Sequence, residues 1–342
     1  MRWSTSYTIL LAAMMASGCN RGAVSPQAVP SPSETRKDGL APPVLLEVGG
    51  KPVVSGYPFL GDIDGDGLND LLMGGDPNGR LLVYRNVGTA AAPRMSEPQW
   101  FDEWVQKGRV PRGCSAGYFY PQLMDFDGDG RPDLLSGSHC CDSFGFHVFR
   151  RADNSWSPRT HHTVASESKY TGVFVHRSFV TAADWNGDRI PDLLWRSGGN
   201  LGIGVALGPL TGHEPLELEH EVEFTPRPTT VDEGVHDFSV ADWDRDGKPD
   251  LLVRLRLDGG KGGIYWYRNL GGPGLKQLAP GKLLLGEDVL VGPMRSTRST
   301  YGFCVGDWDG DGWSDLIVTR QDLIPPGPEG SWQGSVWLYS RE

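Results

Sequence analysis

Cysteine is scarce in this chain, with five among 342 residues, and none of the spacings between them is that of a zinc site. There is no H-E-x-x-H pair, and no glycine-rich loop stands ahead of a helix to cradle a phosphate. Zinc-protease and nucleotide chemistry are therefore set aside. Basic residues are in deficit, 32 Lys and Arg against 43 Asp and Glu, and the formal charge of −11 argues against a nucleic-acid partner. The apolar stretch Ile9 to Met15 is too short to span a bilayer. Glycine and proline are plentiful instead, 47 and 26, as many short strands joined by tight turns require.

The acid is not spread evenly. Asp62-Ile-Asp-Gly-Asp-Gly-Leu-Asn-Asp70 puts carboxylates at positions 1, 3, 5 and 9 of a short loop, with Gly67 at position 6. The pattern returns as Asp125, Asp127, Asp129, Asp133, then as Asp184, Asn186, Asp188, Asp192. It returns again as Asp242, Asp244, Asp246, Asp250 and as Asp307, Asp309, Asp311, Asp315. Carboxylates this close repel one another, and a hard cation removes the repulsion. Calcium suits them, because it takes six to eight oxygens in flexible geometry. The main-chain carbonyl of position 7 offers a further ligand: Leu68, Arg131, Ile190, Lys248 and Trp313. Up to five Ca2+ ions are expected, and they would nearly cancel the net charge of −11. The third loop is expected to hold its ion least well. Asn186 replaces a carboxylate there, and Arg189 replaces the position-6 glycine where the turn favours positive φ.

EF-hand and dockerin loops open in the same way but need a ligand at position 12 and a helix beyond. Position 12 here is Met73, Ser136, Trp195, Val253 or Val318, and an apolar strand follows at once. The ion is therefore expected to brace a turn between strands and not to work as a sensor.

The first 18 residues read as a targeting segment, with Arg2 ahead of the apolar run. Ala16-Ser17-Gly18-Cys19 resembles a bacterial lipoprotein signal, which implies lipidation of Cys19 and a membrane-anchored, periplasmic or cell-surface protein. The alternative is an ordinary secretory signal cleaved near Gly18. Residues 19–42, rich in Pro, Ser and Ala, are expected to form a tether ahead of a folded part at 43–342. An exported chain permits disulfides, and Cys114, Cys140, Cys141 and Cys304 allow three complete pairings; a strained vicinal Cys140–Cys141 bridge is open, and a bond from Cys114 to Cys140 or Cys141 is favoured.

From residue 43 one unit follows another, with loops starting at 62, 125, 184, 242 and 307, or 63, 59, 58 and 65 residues apart. Each unit has an apolar strand, the acidic loop, and a second strand led by Leu-Leu or Leu-Ile. A third strand follows, as in Leu81–Asn86 and Ile264–Asn269, and then a more variable fourth, as in Leu283–Gly286 or Leu216–Val222. Glu97–Lys107 is ambiguous between strand and short helix. Four antiparallel strands per unit, repeated radially, give an all-β propeller of five blades. The fifth unit ends after Ser335–Tyr339, so the N-terminal segment Leu45–Ser55 is expected to supply its fourth strand and close the ring.

The D-x-[DN]-x-D-[GR]-x-x-D loops, together with Tyr84-Arg-Asn86 and Tyr267-Arg-Asn269 and the glycines after them, resemble FG-GAP/VCBS repeats. These repeats build β-propellers, including that of integrin α chains, although integrin-type propellers have seven blades. The resemblance implies that calcium loops share one face and that partners bind the other. In this chain the second face is expected to include Tyr57, Tyr118, Phe119, Tyr120, Tyr170, His176, Arg177, His236, Arg295, Arg298 and Tyr301. Aromatic and basic residues in that mixture suit a protein or a glycan. Gly113-Cys-Ser-Ala-Gly117 matches the serine-hydrolase G-x-S-x-G pattern but lacks its strand–turn–helix setting, and His161-His162 reads as a surface pair. The expected function is a non-catalytic binding, adhesion or scaffold module. The alternatives are a lectin-like propeller and a polysaccharide lyase.

Overall fold

The computed structural model describes residues 39–74, 80–101, 119–137, 145–152, 155–157, 160–163, 180–197, 202–208, 220–226, 228, 234–257, 262–271, 277–286, 302–320 and 334–341. The chain opens with β1 (Val44–Leu45), β2 (Glu47–Val48) and β3 (Lys51–Pro52). Blade one holds β4 (Tyr57–Gly61), β5 (Asp70–Gly74), β6 (Leu82–Tyr84) and β7 (Gln99–Trp100). Blade two holds β8 (Pro121–Met124), β9 (Asp133–Gly137) and β10 (Gly145–Phe149). After a small hairpin of β11 (Arg151–Ala152) and β12 (Ser155–Trp156) it is completed by β13 (Thr160–Thr163). Blade three is β14 (Val180–Ala183), β15 (Asp192–Ser197), β16 (Gly202–Ala206) and β17 (His220–Glu221). Blade four is β18 (Gly234–Ala241), β19 (Asp250–Arg256), β20 (Gly263–Tyr267) and β21 (Lys282–Gly286). Blade five is β22 (Phe303–Gly306), β23 (Asp315–Arg320), β24 (Ser335–Tyr339) and, at its outer edge, β1.

The five innermost strands touch in sequence, β4 to β8 to β14 to β18 to β22 and back to β4, so the ring is closed. The fold is the expected five-bladed β-propeller. Closure differs in detail from the expectation. Leu40, Val44, Leu45 and Leu46 make the ladder to β24, through Leu40↔Arg341, Val44↔Leu338, Leu45↔Trp337 and the Leu46 N–H on the Val336 carbonyl. Pairing thus begins inside the stretch that composition assigns to the tether, and Leu40 is buried. Residues 47–52 do not continue that strand. Gly49 and Gly50 both take positive φ, +58° and +75°, and turn the chain back on itself as β2–β3. Trp100, in the stretch that sequence left ambiguous, lies in β7.

The Leu-Leu pairs have a direct packing reason. A second strand inside a blade has a neighbouring blade on each side, and successive residues of a strand point to opposite faces. Leu71 packs between blades five and one, and Leu72 between one and two. Leu134 and Leu135, Leu193 and Leu194, Leu251 and Leu252, and Leu316 and Ile317 divide themselves in the same way. All ten side chains have 0% exposure, so the core is five inter-blade layers. Position 2 of each acidic loop is the wedge of the layer ahead of it. These residues are Ile63, Phe126, Trp185, Trp243 and, partly buried, Trp308.

Candidate metal centres and the opposite face

Each acidic loop joins the first to the second strand of its blade, so all five gather at one end of the ring axis. Each loop is held by its own carboxylates. Position 1 accepts the position-6 N–H, at 2.9, 2.8, 2.9, 2.9 and 3.0 Å in loops one to five. Position 5 accepts the position-7 N–H, at 2.9, 2.9, 2.7, 3.0 and 2.7 Å. The tight winding puts two residues per loop in the left-handed region, at positions 4 and 6. Glycine fills most of these places. Arg189 (φ 69°) and Arg245 (φ 61°) are the exceptions, each at a cost of roughly 1–2 kcal/mol. Arg189 was expected to disturb position 6. The equivalent demand at position 4, met by Arg245, was not foreseen.

Position 9 is a different kind of aspartate. Asp70, Asp133, Asp192, Asp250 and Asp315 are almost fully buried. One oxygen accepts the position-2 N–H of Ile63, Phe126, Trp185, Trp243 or Trp308. The other accepts an N–H just past the third strand, from Asn86, Arg151, Gly208, Asn269 or Arg341, at 2.7–2.9 Å. This carboxylate therefore clips strands one, two and three of its blade together. Burial pushes the Asp70 and Asp315 carboxyls up to about 6 and raises those of Asp133, Asp192 and Asp250, against the pull of the N–H donors.

The donor sets suit a hard cation. Carboxylate oxygens lie within 4.8 Å of one another in Asp62/Asp64/Asp66, Asp125/Asp127/Asp133, Asp242/Asp244/Asp246 and Asp307/Asp309/Asp311. In loop four, Asp244 Oδ1 is buried and has no hydrogen-bond partner. A bare carboxylate oxygen beside further carboxylates is chemistry that a cation completes. In loop three, Asn186 Nδ2 donates to Asp188 at 2.9 Å, so an amide takes the part of a charge there.

Basic side chains also reach the loops. The residue just before the third-strand clip is Arg85, Arg150 and Arg268 in blades one, two and four. Arg85 meets Asp64 at 3.5 Å and Arg150 meets Asp127 at 3.2 Å. Arg268 meets Asp244 at 2.5 Å and Asp246 at 3.1 Å. Position 7 adds Arg131 on Asp129 at 2.6 Å and Lys248 on Asp246 at 3.0 Å. These partners hold the carboxyls of Asp129 and Asp246 below their usual range. Other cations tie blades together. Arg151 donates to the Asp64 carbonyl, and Arg341 donates to the Trp243 carbonyl while stacked between Trp243 and Trp313 at 4.4 and 4.5 Å. None of these cation partners had been read from the sequence. The recurring Tyr-Arg-Asn was the available signal.

At the opposite end of the axis, three residues expected on the surface belong to the core. Tyr57, Phe119 and Tyr120 are buried at 4%, 3% and 2% exposure. Tyr57 is the first residue of β4, and its ring meets that of Tyr120 at 4.3 Å. Both line a small axial cavity with Gln122, Thr181, Asp237 and Ser239. His236 is half-buried in β18. Asp237 sits at a bulge in β18. Its oxygens accept the N–H groups of Phe238 and of Phe303 in the next blade, both at 2.9 Å. Burial pushes this carboxyl up to about 7, although Arg254 and Arg196 pull the other way. Cys304 is buried as a free thiol. Tyr118, Tyr170, His176, Arg177, Arg295, Arg298, Tyr301, Cys19, Cys114, Cys140, Cys141 and the Gly113–Gly117 motif lie outside the described residues. His161 and His162 fall in β13, paired with His147 and Phe146.

No curated protein matches the chain. One solved structure similar to it is a lectin of Agrocybe aegerita, described as specifically recognising non-reducing terminal N-acetylglucosamine. It is 20% identical, over 85% of this chain and 73% of that one, with a TM-score of 0.42. The model of the FG-GAP-like repeat matches residues 62–136, 125–195 and 242–318, more than half of the sequence. Each matched segment runs from one acidic loop to the second strand of the next blade. By sequence and by architecture, this chain belongs to the FG-GAP-like repeat family.

Proposed function

We propose that the protein is a calcium-braced, non-catalytic propeller that binds a protein or glycan partner on the face opposite its acidic loops. One observation carries this reading. The loop carboxylates are committed to their own main chain and to strand ends. A calcium ion held by positions 1, 3, 5 and 9 and the position-7 carbonyl would neutralise charge and fix the turn between two strands. Partner recognition then falls to the other face, where sequence differs from blade to blade. Export and anchoring through Cys19 belong to the same reading, since calcium is abundant outside the cytoplasm.

A glycan array probed beside a pull-down from cell-surface extract, each in calcium and in EDTA, tests the proposal. Calcium-dependent capture of a discrete protein or glycan class is expected. Turnover of a polysaccharide by the purified chain would overturn the non-catalytic reading.

A further inference from the structure

We infer that the five acidic loops are graded in metal affinity by cations built into the chain, and that loop five is the tightest site. The inference rests on the calcium reading above. It concerns which residues compete with the metal.

The residue before each third-strand clip is Arg85, Arg150, Leu207, Arg268 and Ser340 in blades one to five. Where it is arginine, its guanidinium lies on the position-3 carboxylate, the side chain least used by the loop's own main chain. Loop four carries two such cations, Arg268 and Lys248, and loop two also carries two, Arg150 and Arg131. Loop one carries Arg85 at the longer distance of 3.5 Å. In loop five, no basic side chain among the described residues lies within ion-pair distance of Asp307, Asp309 or Asp311. Two guanidiniums flank the loop without pairing with these carboxylates: Arg245 lies against Gly312 and the Trp313 ring, and Arg341 is held by the Trp243 carbonyl and two indole rings. Loop three has Leu207 in place of that arginine and lacks a full carboxylate set.

A cation entering loops one, two or four must displace or share a carboxylate with a resident guanidinium. In loop four the arginine takes one oxygen of Asp244 and leaves the other bare, so that site is weakened and not abolished. Loop five meets its metal with three close carboxylates, none of them ion-paired with a described cation. The resident pairs are part-exposed, so each is expected to change affinity about two- to fivefold. Loops two and four hold their charge without metal, whereas loop five depends on it.

Calcium chloride titrated calorimetrically into the full, metal-stripped chain tests the grading. One tight site is expected ahead of a weaker class. Ser340→Arg, which supplies the missing cation, is expected to weaken the tight site about two- to fivefold. Asp309→Asn is expected to remove it. Arg85→Met, which leaves loop one without an ion-paired cation, is expected to move one weak site into the tight class, whereas Arg268→Met, which leaves Lys248 on Asp246, is expected to strengthen loop four without bringing it there. Equivalent sites in the wild type, or affinities unmoved by Ser340→Arg and Arg85→Met, would overturn the grading and leave the calcium reading standing. No binding heat in the wild type, with no calcium retained on equilibrium dialysis, overturns both.

Discussion

Two kinds of aspartate sit within each nine-residue loop, and they do different work. The position-9 carboxylates are buried, alike in all five blades, and bound to the same two main-chain N–H groups. Those at positions 3 and 5 are accessible and differ in company: arginine, lysine, an amide, or no close cation. The buried member specifies the blade. The accessible members set how the loop meets a cation. A repeat can therefore keep its fold while the charge of its acidic loops drifts apart, since a change at position 3 leaves the clip intact.

The contrast breaks most sharply in loop four. Asp250→Ala leaves the N–H groups of Trp243 and Asn269 and the indole of Trp266 without their acceptor. A loss of ~3–5 kcal/mol is expected in urea denaturation without metal. Asp244→Ala, which removes a part-exposed partner of Arg268, is expected to cost under about 1 kcal/mol in the same buffer. Equal losses would dissolve the distinction.

A smaller effect sharpens it, because Asp237 is buried like the clips but lies outside the repeat. Its carboxyl is raised to about 7 by burial. Such a group contributes stability that is complete below its unfolded value near 4 and is lost as pH rises through about 7. Asp237→Asn stays neutral throughout, so its stability is expected to fall less than that of the wild type between pH 4 and 7, by about 1–2 kcal/mol. Parallel pH profiles would show that Arg254 and Arg196 fully balance the charge.

Much of this design was legible in the sequence. Five loops at regular spacing, Leu-Leu or Leu-Ile behind each, and a fifth unit one strand short were enough for blade number and closure. The closing strand was displaced by a few residues because Val44–Leu46 and Val53–Val54 are equally apolar, and only the Gly49-Gly50 turn decides between them. The double role of position 9 was hidden, since a ligand and a clip require the same residue. Tyr57 and Tyr120 looked like surface aromatics because sequence does not show that β4 takes in the residue ahead of its proline or that the innermost strands converge on the axis. The pairing of Arg85 with Asp64 spans 21 residues and needs the third strand folded back beside the loop, which local pattern cannot reveal.

The most direct test of a calcium-braced ring is the melting temperature of the full chain in calcium and in EDTA at matched ionic strength. Saturating even one site at a hundred times its dissociation constant adds about 2.7 kcal/mol, so EDTA is expected to lower the melting temperature by about 5 °C or more while the β-sheet signal persists at 25 °C. Superimposable melting curves would contradict the metal's role as a brace.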